Sequence, residues 1–310
     1  GSGTVVWEAR KLHAKGEITY DEFMDMVAAS APSIGHCNTM GTASSMNSIA
    51  EALGMSLTGC AVIPAPYRER SQISFETGKR IVDMIHEDLT PSKIMTKEAF
   101  ENAILVASAI GASSNCPPHL TAIARHMGLE LDIENWQTLG HDIPLLVNCQ
   151  PAGEHLMERF YRAGGVPAIM QELLKNNKLH KSALTVSGKT VEENLKIEID
   201  IDTDVIKSFA NPLVKNAGYI VMRSNFFSSA VMKTSVISKE FRKRYLSDPK
   251  NINVFEANAV IFEGPEDYHS RINDEKLDIN ENSILMIRGC GPVGYPGSAE
   301  VVNMQPPDRL

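Results

Sequence analysis

No Cys-x-x-Cys pair occurs among the five cysteines at positions 37, 60, 116, 149 and 290, which excludes a zinc ribbon or a ferredoxin-like cluster run. An odd, scattered set in a chain of 310 residues is no disulfide framework, and free thiols in a reducing compartment fit it better. No apolar run approaches the ~20 residues a membrane-spanning helix needs. The opening Gly1-Ser2-Gly3-Thr4 has neither the charged nor the apolar region of a signal peptide. Positive charge is not in excess: the formal net charge of −8 argues against a nucleic-acid partner. Internal repeats and low-complexity segments are absent as well. A cytoplasmic protein with no membrane and no nucleic-acid partner is the expectation.

What is present is ordinary globular material, 43% hydrophobic and 22% charged, and the length suits two domains. Residues 8–30 read as helical, with a start signal at Ile18–Phe23. From Thr42, the residues Met46, Ile49, Ala50 and Leu53 recur at helical spacing until Gly54. A helix over 70–88 is predicted with Ile73, Ile81, Val82 and Ile85 turned inward. Thr96 can cap a helix carrying Phe100, Ala103, Ile104 and Ala107, and a further helix follows over 118–127. Ile143–Asn148 reads as a short strand, and two helices flank Gly164-Gly165. Beyond residue 205 the texture changes to short β-type runs at 219–222, 259–262 and 284–287. The fold class predicted is α/β: helices with a mostly parallel sheet over 1–205, then part of a β-rich, barrel-like domain over 206–310.

Two glycine-rich turns stand out. In the first, Gly35-His36-Cys37-Asn38-Thr39-Met40-Gly41, a cysteine precedes a helix of small residues. The positive end of a helix steadies a thiolate, which makes Cys37 a candidate ligand for an iron–sulfur cluster or a nucleophile. The blander reading is a small buried thiol in a tight turn. The second turn, Gly289–Gly297, holds four glycines and two prolines in nine residues and delivers Glu300, a carboxylate suited to Mg²⁺. Taken alone, Glu300 is better explained as a solvated loop residue. A third turn, Ser113-Ser114-Asn115, offers hydroxyls, an amide and free N–H groups to a carboxylate or hydroxyl-bearing ligand, or else simply caps a helix. His36 borders Cys37, His119 lies one turn into a helix, and Cys290 sits in the second glycine turn.

Cys37–Met46 with Ala50–Leu57 behind it resembles the dihydroxy-acid and sugar-acid dehydratase family. Gly78–Val82, Ile94–Ala103, Gly164–Ala168, Leu184–Thr190 and Gly291–Glu300 are similar to family segments, so the resemblance covers nearly the whole chain. It implies a hydro-lyase that converts a 2,3-dihydroxy acid into a 2-keto acid. It also implies an iron–sulfur cluster, [2Fe–2S] in preference to [4Fe–4S], with Mg²⁺ beside it. Cys37 matches the last of three cluster cysteines and Glu300 the C-terminal Mg²⁺ ligand. Thr39, Ser114 and Asn115 become candidate substrate contacts.

The other two cluster cysteines, an aspartate and a modified lysine match nothing here and belong upstream of Gly1. The family's serine base, after a Gly-Arg-x-Ser-Gly motif, belongs downstream of Leu310. No catalytic base is therefore assigned within these residues. The segment reads as an internal piece of a longer protein, expected to lack turnover alone.

The turn at 291–304 is similar to the aldonate branch, and Ser224–Lys233 resembles pentonate dehydratases acting on xylonate or arabinonate. Family Gly-Gly-Ser-Thr-Asn becomes Gly111-Ala112-Ser113-Ser114-Asn115, which keeps the hydroxyl. A small sugar acid as substrate and a homodimer or homotetramer follow from the resemblance. The alternatives are a dihydroxy-acid dehydratase of branched-chain amino-acid synthesis and a non-catalytic truncated relative.

Overall fold

A computed structural model describes residues 3–225, 227–245, 247, 256–291, 295–296 and 304–310. The helical stretch expected over 8–30 is two helices, α1 (Gly3–Ala14) and α2 (Tyr20–Ala29). Gly16, at φ 72°, ends the first. Thr19 and Glu22 then form a reciprocal cap, with Glu22 N–H donating to Thr19 Oγ1 at 3.2 Å and Thr19 N–H to Glu22 Oε2 at 2.8 Å.

The remaining helices are α3 (Thr42–Ala52), α4 (Arg68–His86), α5 (Pro91–Ile94), α6 (Lys97–Ile110), α7 (Cys116–His126), α8 (Asn135–Gly140), α9 (Met157–Arg162), α10 (Gly165–Lys175) and α11 (Val191–Asn194). Then follow the antiparallel hairpin β1 (Tyr219–Met222) and β2 (Ala230–Lys233), α12 (Lys239–Tyr245), β3 (Asn258–Phe262), α13 (Pro265–Arg271) and β4 (Ser283–Ile287). The chain divides into two compact units: Ala29–Val236 with the first residues up to Gly3, and Thr4–Ala28 with Ile237–Leu310.

The larger unit is organised around α6. Thr96 caps it, accepting from Ala99 N–H, and Gly111 closes it in the left-handed conformation at φ 63°. Residues 102–110 are buried on every side, so this helix runs through the core rather than over it. Its one buried amide, Asn102, is satisfied by His180, donating to its carbonyl at 3.1 Å and accepting from its N–H at 2.8 Å. Against α6 lies α3, whose buried Ser44, Ser45 and Ser48 are small enough for close approach. Ser48 Oγ returns its proton to the Ser44 carbonyl at 2.9 Å. Each large side chain fully buried here, such as Phe100, Ile104 or Ile110, contributes roughly 1.5–3 kcal/mol.

The chain is α/β, with helices dominating the first two hundred residues and strands gathering after residue 219, as the sequence predicts. The expected strand at 143–148 is extended chain that makes single bridges, Leu145 to Val214 and Val147 to Ile206. Parallel pairing falls in the smaller unit, where β3, α13 and β4 form a β-α-β crossover in register Asn258↔Ser283 to Phe262↔Ile287. Phe262 meets Tyr268 edge-to-face at 5.3 Å, over a small core completed by Ile272 and Ile279. No closed barrel forms among the described residues.

One expectation fails. On α4 only Met84 is buried; Ile81, Val82 and Ile85 are exposed, Ile85 by 71%. The inward line is instead Ile73, Arg80 and Met84. Arg80 reaches the Val186 carbonyl at 2.5 Å, so its long stem takes the place an apolar residue would have.

α11 opens on a full capping box between Thr190 and Glu193. Thr190→Ala is expected to cost about 1 kcal/mol, read as a lower urea midpoint. An unchanged midpoint would mean that the box is not formed in solution.

Candidate functional site

Cys37 sits on an irregular loop that is tied down just after the thiol. Asn38 accepts from Met157 N–H with its carbonyl at 3.0 Å and from Glu158 N–H with Oδ1 at 3.2 Å, anchoring the loop to the start of α9. Met40 N–H donates to the Gln150 carbonyl at 2.7 Å, and Met40 itself is buried. Ser44, in the first turn of α3, donates to the Thr39 carbonyl at 2.8 Å. The segment from 38 to 44 is thus fixed while Cys37 stays exposed.

Thr39 Oγ1 lies 3.2 Å from Cys37 Sγ, where its hydroxyl can donate to a thiolate. Burial of the sulfur pushes its pKa up. Hydrogen bonds from the Thr39 hydroxyl and from the backbone N–H groups of Gly3 and Thr39 outweigh that, and the thiol sits below its ordinary value. The charge of the N-terminal amine adds a smaller contribution in the same direction. The other described cysteines contrast with it. Burial pushes Cys149 up to about 12 and raises Cys60, and Cys116 is wholly buried. His36 leans back on the loop, with Nδ1 2.8 Å from the Cys37 carbonyl and Nε2 3.4 Å from Asn47 Nδ2.

The third turn comes to the same helix end. Ser113 N–H donates to Ser45 Oγ at 2.9 Å, and Ser113 Oγ lies 3.1 Å from Thr42 Oγ1. Asn115 Nδ2 donates to Thr42 Oγ1 at 2.9 Å. Asn115 and Thr39 therefore both meet the first turn of α3, and Ser114, next to Asn115, is exposed. His119, on the first turn of α7, is exposed and joins none of these contacts. Glu300 and most of the second glycine turn lie outside the described residues.

Thr42 and Ser45 escaped sequence reasoning, which took α3 for a packing helix. Their signal was two hydroxyls one turn apart at its N-terminus. No group of three His, Cys, Asp or Glu side chains that could hold a metal ion exists among the described residues. An exposed thiol with a lowered pKa suits one ligand position of an iron–sulfur cluster, and a single sulfur is one ligand only.

The description "dihydroxy-acid/6-phosphogluconate dehydratase N-terminal" matches residues 2–194, and the corresponding C-terminal description matches residues 204–310. A D-xylonate dehydratase of Caulobacter vibrioides is 58% identical over 310 residues, covering 100% of this chain and 52% of the relative. An L-arabinonate dehydratase of Rhizobium leguminosarum bv. trifolii is 44% identical over 311 residues, with the same coverage of 100% and 52%. A dihydroxy-acid dehydratase of Acetivibrio thermocellus is 36% identical over 299 residues, 96% of this chain and 52% of the relative. The chain spans about half the length of the curated relatives it matches.

Proposed function

Because the chain belongs to the dihydroxy-acid/6-phosphogluconate dehydratase family, we propose that the full-length protein is a hydro-lyase. Its substrate in this reading is an aldonic acid of the xylonate or arabinonate type, dehydrated to a 2-keto-3-deoxy acid. The observation that carries the substrate class is the drop in identity from 58% and 44% with the two pentonate dehydratases to 36% with the branched-chain type.

In this reading Cys37 supplies one thiolate to an iron–sulfur cluster, and Glu300 supplies a carboxylate to Mg²⁺. Bound there, the two metal centres would provide Lewis-acid activation of the leaving hydroxyl and fix the acid's carboxylate. The Thr39 hydroxyl, 3.2 Å from the sulfur, favours its thiolate form. Thr42 orients Asn115 and Ser113, which leaves the exposed Ser114 hydroxyl to meet a hydroxyl or carboxylate of the acid. No described residue is assigned as the base. In this reading the boundary between a cluster-binding part and a C-terminal part lies near residue 205, where one family match gives way to the other, and so falls within the larger compact unit.

We place the protein in the cytoplasm as an assembly of two or four copies. Cys37, Cys60, Cys116 and Cys149 are free, in keeping with a reducing compartment, and no helix among the described residues is long and apolar enough to cross a membrane.

Turnover of xylonate, arabinonate and dihydroxyisovalerate by the full-length protein tests the reading. The pentonates are expected to give kcat/KM at least tenfold above dihydroxyisovalerate. The reverse order would move the protein to the branched-chain branch, and no turnover of any of them would leave a non-catalytic relative.

A further inference from the structure

The β1–β2 hairpin, which carries most of Ser224–Lys233, packs against the Gly111–Asn115 turn. Its first cross-strand pair is Tyr219 opposite Lys233. Both side chains end on the same short piece of backbone. Lys233 Nζ donates to the Gly111 carbonyl at 3.0 Å. Tyr219 Oη reaches the Ala112 carbonyl at 2.7 Å and the Ser113 carbonyl at 3.3 Å. One rung of the hairpin thus takes hold of three successive carbonyls.

The hairpin is itself seated rigidly. Tyr219 meets the buried Trp136 edge-to-face at 4.9 Å, and Val221 N–H donates to Gln137 Oε1 at 2.7 Å. Gly218 passes so close to Gly140 that an added Cβ would lie 1.9 Å from its carbonyl oxygen. Behind the rung, Thr234 closes the ribbon onto the Gly218 carbonyl through N–H at 3.0 Å and Oγ1 at 2.9 Å.

Lys233 forms no ion pair among the described residues. Its surroundings lower its pKa to about 8, burial being the main cause, with Cys116 opposing. A largely desolvated ammonium without a carboxylate is costly to keep, and a hydrophobic residue of the same length would pack there more cheaply. Its return is orientation. The peptide whose carbonyl Tyr219 holds, Ala112–Ser113, donates its N–H on the opposite side to Ser45 Oγ at 2.9 Å.

We propose that the Lys233–Tyr219 rung is a positioning clamp that sets the Gly111–Asn115 turn for substrate. The clamp is read from contacts alone; its consequence for a sugar acid rests on the proposed dehydratase function. Neither residue touches substrate in this account. Each acts through the turn, and Lys233 adds positive potential on the side away from the acid.

Two readouts on the full-length protein test the clamp. In Lys233→Met, amide exchange at Ser113 and Asn115 is expected to accelerate at least tenfold, while Leu105 and Val106 in the middle of α6 stay unchanged. Tyr219→Phe, which removes only a hydroxyl, is expected to act in the same direction and serves if the methionine variant does not fold. In turnover, Lys233→Met is expected to raise the KM for the pentonate more than tenfold, with kcat falling less. Lys233→Arg should restore both values.

Equal acceleration across α6 and the turn would reduce Lys233 to a core residue and overturn the clamp, as would unchanged turn amides in both variants. If no pentonate is turned over at all, the dehydratase reading falls and the exchange data still decide the clamp.

Discussion

Cys37→Ser in the full-length protein is expected to abolish turnover, by more than the ~10–100-fold that loss of an outer partner costs a metal site, and to remove the long-wavelength absorption of the cluster. Acidity decides the outcome. A serine hydroxyl has nearly the same shape but does not ionise in this range, and the thiolate is the species that binds iron. The structure singles out this thiol among the described cysteines, since it is exposed, hydrogen-bonded and lowered in pKa, whereas Cys149 is raised to about 12. Thr39→Val should act more mildly and through the same atom. Without the 3.2 Å hydroxyl, the thiol pKa rises toward its ordinary value, read without any cofactor as an alkaline shift in the pH profile of Cys37 alkylation. Full activity with undiminished absorption in Cys37→Ser would remove Cys37 from the cluster and with it the proposed site.

The local signals in the sequence were strong where one residue sufficed. Thr96 as a cap and the apolar runs after residue 218 stand where their chemistry put them. Helical spacing was a poorer guide on α4. Periodicity shows that Ile81, Val82 and Ile85 share a face with Gly78, but not that the inward face belongs to Arg80, whose guanidinium is spent on the Val186 carbonyl and Glu87. Nothing local records that the partner will be a carbonyl 106 residues away.

The site divides the same way. Cys37 and the Ser113–Asn115 turn were legible as loops before helices. Their meeting at Thr42 and Ser45 was not, because it depends on α3 and α6 packing closely enough for hydroxyls seventy residues apart to touch. Lys233 and Tyr219 were hidden for a related reason: alternate residues of a strand face opposite ways, and only the hairpin register puts these two on one rung.

Glu51 gives the second large effect, and it is a pH effect on stability. This α3 carboxylate is buried, with Oε1 accepting from Gly59 N–H at 2.7 Å and Oε2 from Ala61 N–H at 2.8 Å, so it ties the 59–61 loop to the helix that begins at the site. Burial pushes its pKa from 4.5 to about 7, against the two N–H donors, which pull it down. The folded state therefore holds a proton that the unfolded chain releases between pH 4.5 and 7. The resulting stability is fully present below the unfolded value and is lost as pH rises through about 7. Its ceiling is about 3 kcal/mol, from 1.36 kcal/mol per unit.

Glu51→Gln keeps the shape and removes the titration, but its NH₂ confronts one of the two backbone donors, at a cost of about 1–3 kcal/mol. At pH 5 the variant is expected to be the less stable protein. By pH 8 the gap should narrow, because only the wild type has by then lost its proton-linked contribution. Urea midpoints of the full-length protein at the two pH values measure both terms. A gap of equal size at pH 5 and pH 8 would mean that Glu51 is ionised throughout and that its two N–H donors, not its burial, set its charge.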